Sequence, residues 1–546
     1  VAARTFLRSG TAPSVKTSPL TRGPSSTPAS SDGGTYDHGV DKRLALPLSL
    51  LVLTGCAGCS GDGAVRGRPG AAGVRDPYFA RLGNGGYDVQ HYGLTLDYAP
   101  ATGRLEGTAE ITARATQDLS AFNLDFAGMK VDSVTVDGER AALHRAGTEL
   151  TLRPHDVVGH GDTFRTVVHY SGLPRRITDP DESEEGWLRS GERAVGLGEP
   201  TGSMAWFPGN HHPSDKASYD IRITVPEGVK AVSNGELRSE RTTAGRTSFD
   251  WHSAQPMASY LATVAIGPYK TETGERAEEK PAKKAVETPG KTPGKTPGET
   301  DRTPGRTEGK TAGKTADKAD AGAATVGALP IYSAVDPSVA ADSARLLAEL
   351  PGIITWQEKT FGPYPFSSTG VIIGRKGDSQ YALETQNRPF LPGPTSVATL
   401  VHELAHQWFG NSVTPKSWRD MWLNEGFAEY TEWLWTEHTE RVPVRQSFEE
   451  AYEDDDNWAF PPAKPPSAAN ISDAPVYGRG AMVVQQVREA VGDASFFRIV
   501  RGWLETYRHG NADTHDFTTY VEREAGRDLS GIWDTWLYGD ERPPLD

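Results

Sequence analysis

The sequence predicts a multidomain chain, an N-terminal all-β domain over residues 83–271 followed by an α+β domain over residues 326–546. Three observations predict it. Apolar residues alternate with period two in the first region and recur at helical spacing in the second, and apolar residues larger than alanine are nearly absent from a low-complexity tract at 272–325 between them. A chain of 546 residues has room for two or three domains, each with its own core. Its formal net charge of −15 argues against a nucleic-acid partner.

Residues 1–82 are expected to be a disordered leader. The first 39 are rich in Ser, Thr, Pro and Gly and cannot bury enough apolar surface to fold. Lys42 and Arg43 then precede an apolar run from Leu44 to Leu53, too short for a stable bilayer anchor but right for the hydrophobic region of a secretory signal at about 40–56. Its end, Leu53-Thr54-Gly55-Cys56, resembles a bacterial lipobox, in which the cysteine is lipidated and becomes the new N-terminus. The expectation is a lipoprotein attached through Cys56 to the outer side of a bacterial cell membrane, or a secreted protein, with translation starting at Val40. Cys56 and Cys59 are the only cysteines, so any metal site in the folded part must use histidine and carboxylate.

In the β region, "RLEGTAEITARA" sets Leu105, Gly107, Ala109, Ile111 and Ala113 on one side of a strand. "YDIRITVPEG" does the same with Tyr219, Ile221, Ile223 and Val225, and Asp137-Gly138 marks a tight turn. The tract 272–325, which contains "TPGKTPGKTPGETDRTPGRTEGKTAGKT", has no aromatic residue and nearly balanced charge, which reads as a solvated insertion; collagen is excluded because glycine lacks a three-residue period. Beyond it, "PSVAADSARLLAELPGIITWQEKTFG" is helical in pattern with Gly362 past its end. "AMVVQQVREAVG", "ASFFRIVRGWLETYRHG" and "IWDTWLYG" close on glycine in the same way.

The chemistry concentrates in "TLVHELAHQWFGNS", Thr399 to Ser412. Pro392-Gly393-Pro394 precede it, Thr395 or Ser396 can cap it and Gly410 can end it, so a helix is predicted from Val397 to Phe409. Positions four apart share a helix face, so His402 and His406 point the same way and can grip one zinc ion, with Glu403 beside them placed to act as a base. Catalytic zinc takes a third protein ligand and keeps one position open. Glu425 in "WLNEGFAEY" supplies a candidate, separated from His406 by eighteen residues and lying on a second predicted helix joined to the first by "NSVTPKSW".

The H-E-x-x-H motif, the eighteen-residue gap and Asn424-Glu425-Gly426-Phe427 together resemble the zinc aminopeptidases of the aminopeptidase N family, gluzincin metallopeptidases. The resemblance implies a saddle- or sandwich-like β domain followed by a thermolysin-like α+β zinc-peptidase domain, one zinc per chain held by His402, His406 and Glu425, and hydrolysis of the N-terminal residue from peptides with a free N-terminus. The family's Gly-Ala-Met-Glu-Asn motif corresponds to Tyr381-Ala382-Leu383-Glu384-Thr385, which assigns Glu384 to the substrate's α-amino group. Counting back nine residues from Pro208 in the W-F-P segment nominates Glu199 as its companion. "VYGRGA" is similar to the family's Tyr-x-Lys-Gly element and nominates Tyr477 as oxyanion donor, with Glu403 as base. Glu429 or Glu432 is expected to orient a zinc-bound histidine from behind. Tyr381, Thr385 and Arg479 depart from the family pattern of glycine, asparagine and lysine. The resemblance implies a short form, expected to lack the further C-terminal helical domain of long members.

Three other readings use the same residues. A thermolysin-like endopeptidase shares zinc and base but has no use for two ammonium-binding carboxylates. An epoxide hydrolase is compatible with the same motifs. A non-catalytic scaffold of the same fold would be marked by loss of a ligand or of the base, and all four residues are present.

Overall fold

Successive side chains of a strand face opposite ways, and Arg104–Ala115 buries Leu105, Ala109, Ile111, Ala113 and Ala115 while Arg104, Glu106, Glu110 and Arg114 face solvent. The strand Lys216–Pro226 repeats the pattern with Tyr219, Ile221, Ile223 and Val225 inside. The computed structural model that shows this describes residues 67–276 and 329–545. These strands belong to an eight-stranded sheet ordered Glu236–Thr243, Arg246–Ala258, Lys216–Pro226, Tyr87–Ala99, Arg104–Ala115, Thr163–Gly172, Lys130–Val136, Glu139–Arg140. All neighbours are antiparallel except Lys216–Pro226 beside Tyr87–Ala99, which run parallel. Asp137 and Gly138 both take positive φ, as the tight hairpin between the last two strands demands.

Two smaller sheets complete the β domain, and one of them leads to the site. Its strands Glu184–Ser190 and Arg193–Leu197 pair antiparallel, and the second stops two residues before Glu199. A fourth sheet joins Lys270–Arg276, Leu329–Val335, Ile372–Ile373 and Phe390–Leu391, the last lying just beyond the loop that carries Glu384.

The helical part contains α1 (Ala340–Phe361), α2 (Val397–Ala405), α3 (Trp422–Glu440), α4 (Val444–Glu453), α5 (Gly480–Val491), α6 (Asp493–Thr506) and α7 (Thr514–Ala525). Ser396, not Thr395, caps α2, its hydroxyl accepting from the Thr399 amide at 3.0 Å. The regular helix stops at Ala405, four residues earlier than predicted, because the chain tightens into i−3 bonds such as Trp408 N to Ala405 O before Gly410 at φ +113° ends it. Among the described residues no helix is long and apolar enough to cross a membrane.

Two domain boundaries differ from expectation. Residues 67–82, assigned above to the leader, are folded: Arg68–Pro69 pair with Leu119–Ala121, and buried Asp76 accepts hydrogen bonds from Ser417 Oγ at 2.8 Å and Trp418 N at 3.0 Å. Such a segment has no apolar period to read, since what holds it is a two-residue ladder, one buried carboxylate and scattered contacts of Tyr78, Phe79 and Leu82. Residues 272–276, assigned to the insertion, extend the strand Lys270–Arg276, which pairs in register with Leu329–Val335. The expectations for the signal at about 40–56, for Cys56 and for 277–325 concern residues outside those described.

Candidate active site

His402 on α2 and His406, the residue directly after its end, are both buried and aim at one point on α3. His402 Nε2 lies 3.2 Å and His406 Nε2 3.4 Å from Glu425 Oε2. Near Glu425 the two segments are packed together by aromatic rings, Phe409 stacking on Phe427 at 4.4 Å and 6°. Behind the histidines, His402 Nδ1 meets Glu432 Oε1 at 2.8 Å and His406 Nδ1 meets the Phe409 carbonyl at 3.0 Å. Both Nδ1 atoms face acceptors, so each carries the hydrogen and leaves an Nε2 lone pair pointing at Glu425.

That arrangement tests the fit of a metal. Two lone pairs and a carboxylate converging in a buried space repel unless a proton or a cation lies among them. Protons answer in part. Burial opposes charge on His402, but hydrogen bonds to Glu425 and Glu432 override it and hold its pKa well above the ordinary value. Burial likewise opposes charge on His406, and Glu425 and Glu384 bring it up to about 9. Burial favours a protonated Glu425, yet His406 and His402 hold its carboxyl well below the usual carboxylate range. A divalent cation answers in full. Two imidazole nitrogens and a carboxylate oxygen, all within 4.8 Å of one another, are a donor set that suits zinc. Glu432, rather than Glu429, is the carboxylate that orients His402; Glu429 accepts from the Trp433 indole at 3.2 Å.

Glu403 lies beside this group with both carboxylate oxygens buried and without a hydrogen-bond partner. Burial pushes its pKa up to about 8. Tyr477 comes from a different element, a π-helical turn at Pro475–Arg479 that runs into α5, and its buried ring stacks on His402 with centroids 6.0 Å apart. Arg479 of the same turn is fully buried. Its guanidinium donates to the carbonyls of Trp536, Phe460, Thr535 and Gly539 and lies 4.7 Å from the Trp458 ring, a fork that a lysine could not reproduce.

Glu199 and Glu384 reach the same place from two loops. A carboxylate oxygen of each lies within 4.8 Å of the others and of Glu425, and all three residues are buried. Every residue nominated from sequence as ligand, base, oxyanion donor or ammonium site is thus within one buried cluster. Two further residues there carry no motif. Glu185 accepts from the Thr201 amide at 2.9 Å and hydroxyl at 2.6 Å, fixing the chain two residues past Glu199. Tyr260 packs on Trp418 at 5.2 Å and donates to the Gly410 carbonyl at 3.4 Å; burial, with Glu384 and Glu199 nearby, pushes its phenol well above its ordinary pKa. Tyr260 shows in the sequence only as a polar group in an otherwise apolar stretch, and Glu185 is one acid among several in an acidic run.

Comparison with known proteins agrees with this geometry. The profile of the peptidase M1 N-terminal domain matches residues 88–261, and that of the peptidase family M1 domain matches residues 382–536. Human glutamyl aminopeptidase is 27% identical over 432 residues, 74% of this chain and 39% of that protein. Probable aminopeptidase 1 of Saccharolobus solfataricus is 24% identical over 470 residues, 82% of this chain and 53% of that protein. The chain therefore spans between a third and about half of these curated relatives. Among solved structures, the M1 zinc metallopeptidase from Deinococcus radiodurans superposes with a TM-score of 0.73 at 26% identity, covering 87% of this chain and 98% of that one. A mutant of that protein bound to a Tyr-Ser-Ala substrate matches equally well, at 25% identity. From the two matched domains, the fold and the site, the chain belongs to peptidase family M1, the aminopeptidase N family.

Proposed function

We propose that this protein is a zinc-dependent aminopeptidase that removes the N-terminal residue from peptides with a free α-amino group. The observation that carries the reading is the convergence of Glu199 and Glu384 beside the His402, His406 and Glu425 group. Neighbouring carboxylates repel until a cation enters, and a substrate ammonium is such a cation. Once it is held there, the first peptide carbonyl falls near the metal ligands and later ones lie farther along. An endopeptidase has no use for two ammonium-binding carboxylates.

Zinc held by His402, His406 and Glu425 would supply Lewis-acid polarisation of a carbonyl and acidification of water. Glu403 takes the proton of the attacking water and passes it to the leaving amine, and a carboxylate whose burial raises its proton affinity suits that exchange. Tyr477 donates its hydroxyl hydrogen to the oxyanion that develops on the carbonyl, an interaction of about 3 kcal/mol in comparable sites. Glu199 and Glu384 orient the substrate, so the reaction begins with the carbonyl already placed.

Amino-acid arylamides with free and with acetylated amino groups, assayed with and without chelator, test the reading. Free-amine substrates should be cleaved only with metal present, and acetylated ones hardly at all. Glu403→Gln should abolish turnover while retaining zinc, and Tyr477→Phe should lower kcat by roughly two to three orders of magnitude with little change in KM. Cleavage of blocked peptides at internal bonds as fast as free peptides at their first bond would overturn the aminopeptidase reading in favour of the endopeptidase one.

We also propose, from Lys42-Arg43, the apolar run and Leu53-Thr54-Gly55-Cys56, that the protein is lipidated at Cys56 and faces the outside of a bacterial cell. Cys56→Ser should release it to the medium or leave it unprocessed. Unchanged membrane retention counts against lipidation.

A further inference from the structure

An exopeptidase that cuts one residue from the amino terminus needs a fixed distance between its ammonium site and its metal ligands. Glu384 sits in an irregular loop, so that distance has to be set by something other than helix or strand geometry. Two side chains just past the metal helix reach the loop. Asn411 Nδ2 donates to the Glu384 carbonyl at 2.6 Å, and Gln407 Nε2 donates to the same oxygen at 3.4 Å. Gln407 also accepts from the Asn387 amide through Oε1 at 2.9 Å, so it holds the loop at both ends. Gln407 directly follows the ligand His406, and the Asn411 amide donates to the His406 carbonyl at 3.0 Å. Both residues are completely buried.

The β domain holds the other sides of the same two pieces. Lys216 Nζ donates to the carbonyls of Asn411 at 3.0 Å and Ser412 at 2.9 Å. Asn234 Nδ2 donates to the Gln386 carbonyl at 2.8 Å, the Gly235 amide to Asn387 Oδ1 at 3.0 Å, and Arg388 Nη1 to the Ser233 carbonyl at 2.9 Å. The Glu384 loop is thus pinned between the metal helix and the β domain, and its contact with the metal helix runs through two amide side chains.

We propose that Asn411 and Gln407 are positioning residues that set the spacing between the ammonium-binding carboxylate Glu384 and the metal ligands, and so fix cleavage at the first peptide bond. The proposal rests on the aminopeptidase reading above. Neither residue touches substrate; each acts through the Glu384 backbone.

The test compares arylamides of an α-amino acid and of the corresponding β-amino acid, which places the ammonium one methylene farther from the carbonyl. Wild-type enzyme should strongly favour the α-amino substrate. Asn411→Asp keeps the shape of the side chain but turns an acceptor toward the Glu384 carbonyl. It should retain zinc while kcat/KM for the α-amino substrate falls about 100-fold, the loss expected when a reacting group is misplaced by about 1 Å. The β-amino substrate should lose far less, so that the preference shrinks about tenfold or more. Asn411→Ser, which removes the amide without adding charge, serves the same comparison if the aspartate variant does not fold. Variants that retain zinc and keep the wild-type α-to-β ratio, whether both rates fall or neither does, overturn the positioning role alone. A wild-type enzyme that cleaves acetylated and free substrates alike overturns the aminopeptidase reading and this proposal with it.

Discussion

Gly426 on α3 and Gly480 on α5 meet backbone to backbone: a Cβ added at Gly426 would lie 2.8 Å from the Gly480 carbonyl carbon, and one added at Gly480 would lie 3.0 Å from the Gly426 Cα. The contact matters because Glu425 immediately precedes the first glycine and Tyr477 lies three residues before the second. Alanine at either position forces the helices apart where backbone cannot yield. Gly426→Ala or Gly480→Ala should cost about 1–3 kcal/mol of stability, as overpacking usually does, and reduce turnover by more than the loss of folded protein explains. Thermal denaturation and active-site-normalised kcat check this; a variant with wild-type Tm and kcat would show that the helices can separate without consequence.

Metal removal should inactivate without unfolding. The imidazoles and Glu425 satisfy one another as ion pairs when they carry protons, so the metal-free protein keeps its internal contacts. Chelator-treated protein should retain its far-ultraviolet circular dichroism and lose turnover. Its Tm should fall, since zinc at 100 times its Kd contributes about 2.7 kcal/mol by mass action. Loss of secondary structure on chelation would mean that the metal is needed for folding.

The two acids behind His402 should separate on metal affinity. Glu432→Gln removes the charge that accepts the His402 Nδ1 hydrogen and should weaken zinc binding about 10- to 100-fold, as loss of such a partner typically does. Glu429→Gln should bind zinc nearly as wild type does. Competition against a chelating dye measures both, and equal losses would make the pair, not Glu432, the orienting group.

Lys216 gives stability a pH dependence of its own. Burial pushes its pKa from 10.5 down to about 7. Below pH 7 the folded and unfolded chains both bind the proton; between about 7 and 10.5 only the unfolded chain does, so stability rises with pH in that window. The contribution is at most one proton, about 1.4 kcal/mol per pH unit. Lys216→Met should flatten the rise in denaturant midpoint between pH 7 and 9 relative to wild type. Parallel profiles for the two proteins would mean that the three carbonyls around the ammonium, those of Asn411, Ser412 and Gly510, keep it charged.

What was legible in the sequence is what local chemistry dictates. The spacing of His402 and His406 places both on one helix face whatever surrounds them, and the alternation of Leu105 to Ala113 assigns a buried face without knowledge of the partner strand. Glu425, Glu384, Glu199 and Tyr477 lie on four separate elements, and only the likeness of their flanking motifs to a family brought them together on paper. Nothing local distinguished Glu432 from Glu429, because both sit on the same side of α3 and the choice depends on the rotation of that helix against α2. Asn411 and Gln407 were in plain view beside the metal motif. Their importance depends on a carbonyl more than twenty residues earlier, and hydrogen bonds to distant backbone leave no pattern in a sequence. Asp76 is the same case at longer range, a carboxylate that helps to hold a segment without periodicity.

The hairpin formed by Lys270–Arg276 and Leu329–Val335 makes its connection a splice point. The ladder runs from Lys270 opposite Val335 to Arg276 opposite Leu329, so the chain departs and returns at adjacent positions on one sheet edge. The free energy of closing a connection between such anchored ends grows only with the logarithm of its length, about 0.6 kcal/mol for each doubling. Lineages can therefore lengthen, shorten or replace residues 277–328 with little penalty to the fold. A two-residue turn there would join the same strands in the same register, and a foreign domain whose termini lie close together could be carried at that edge without entering the sheet that leads to the Glu384 loop.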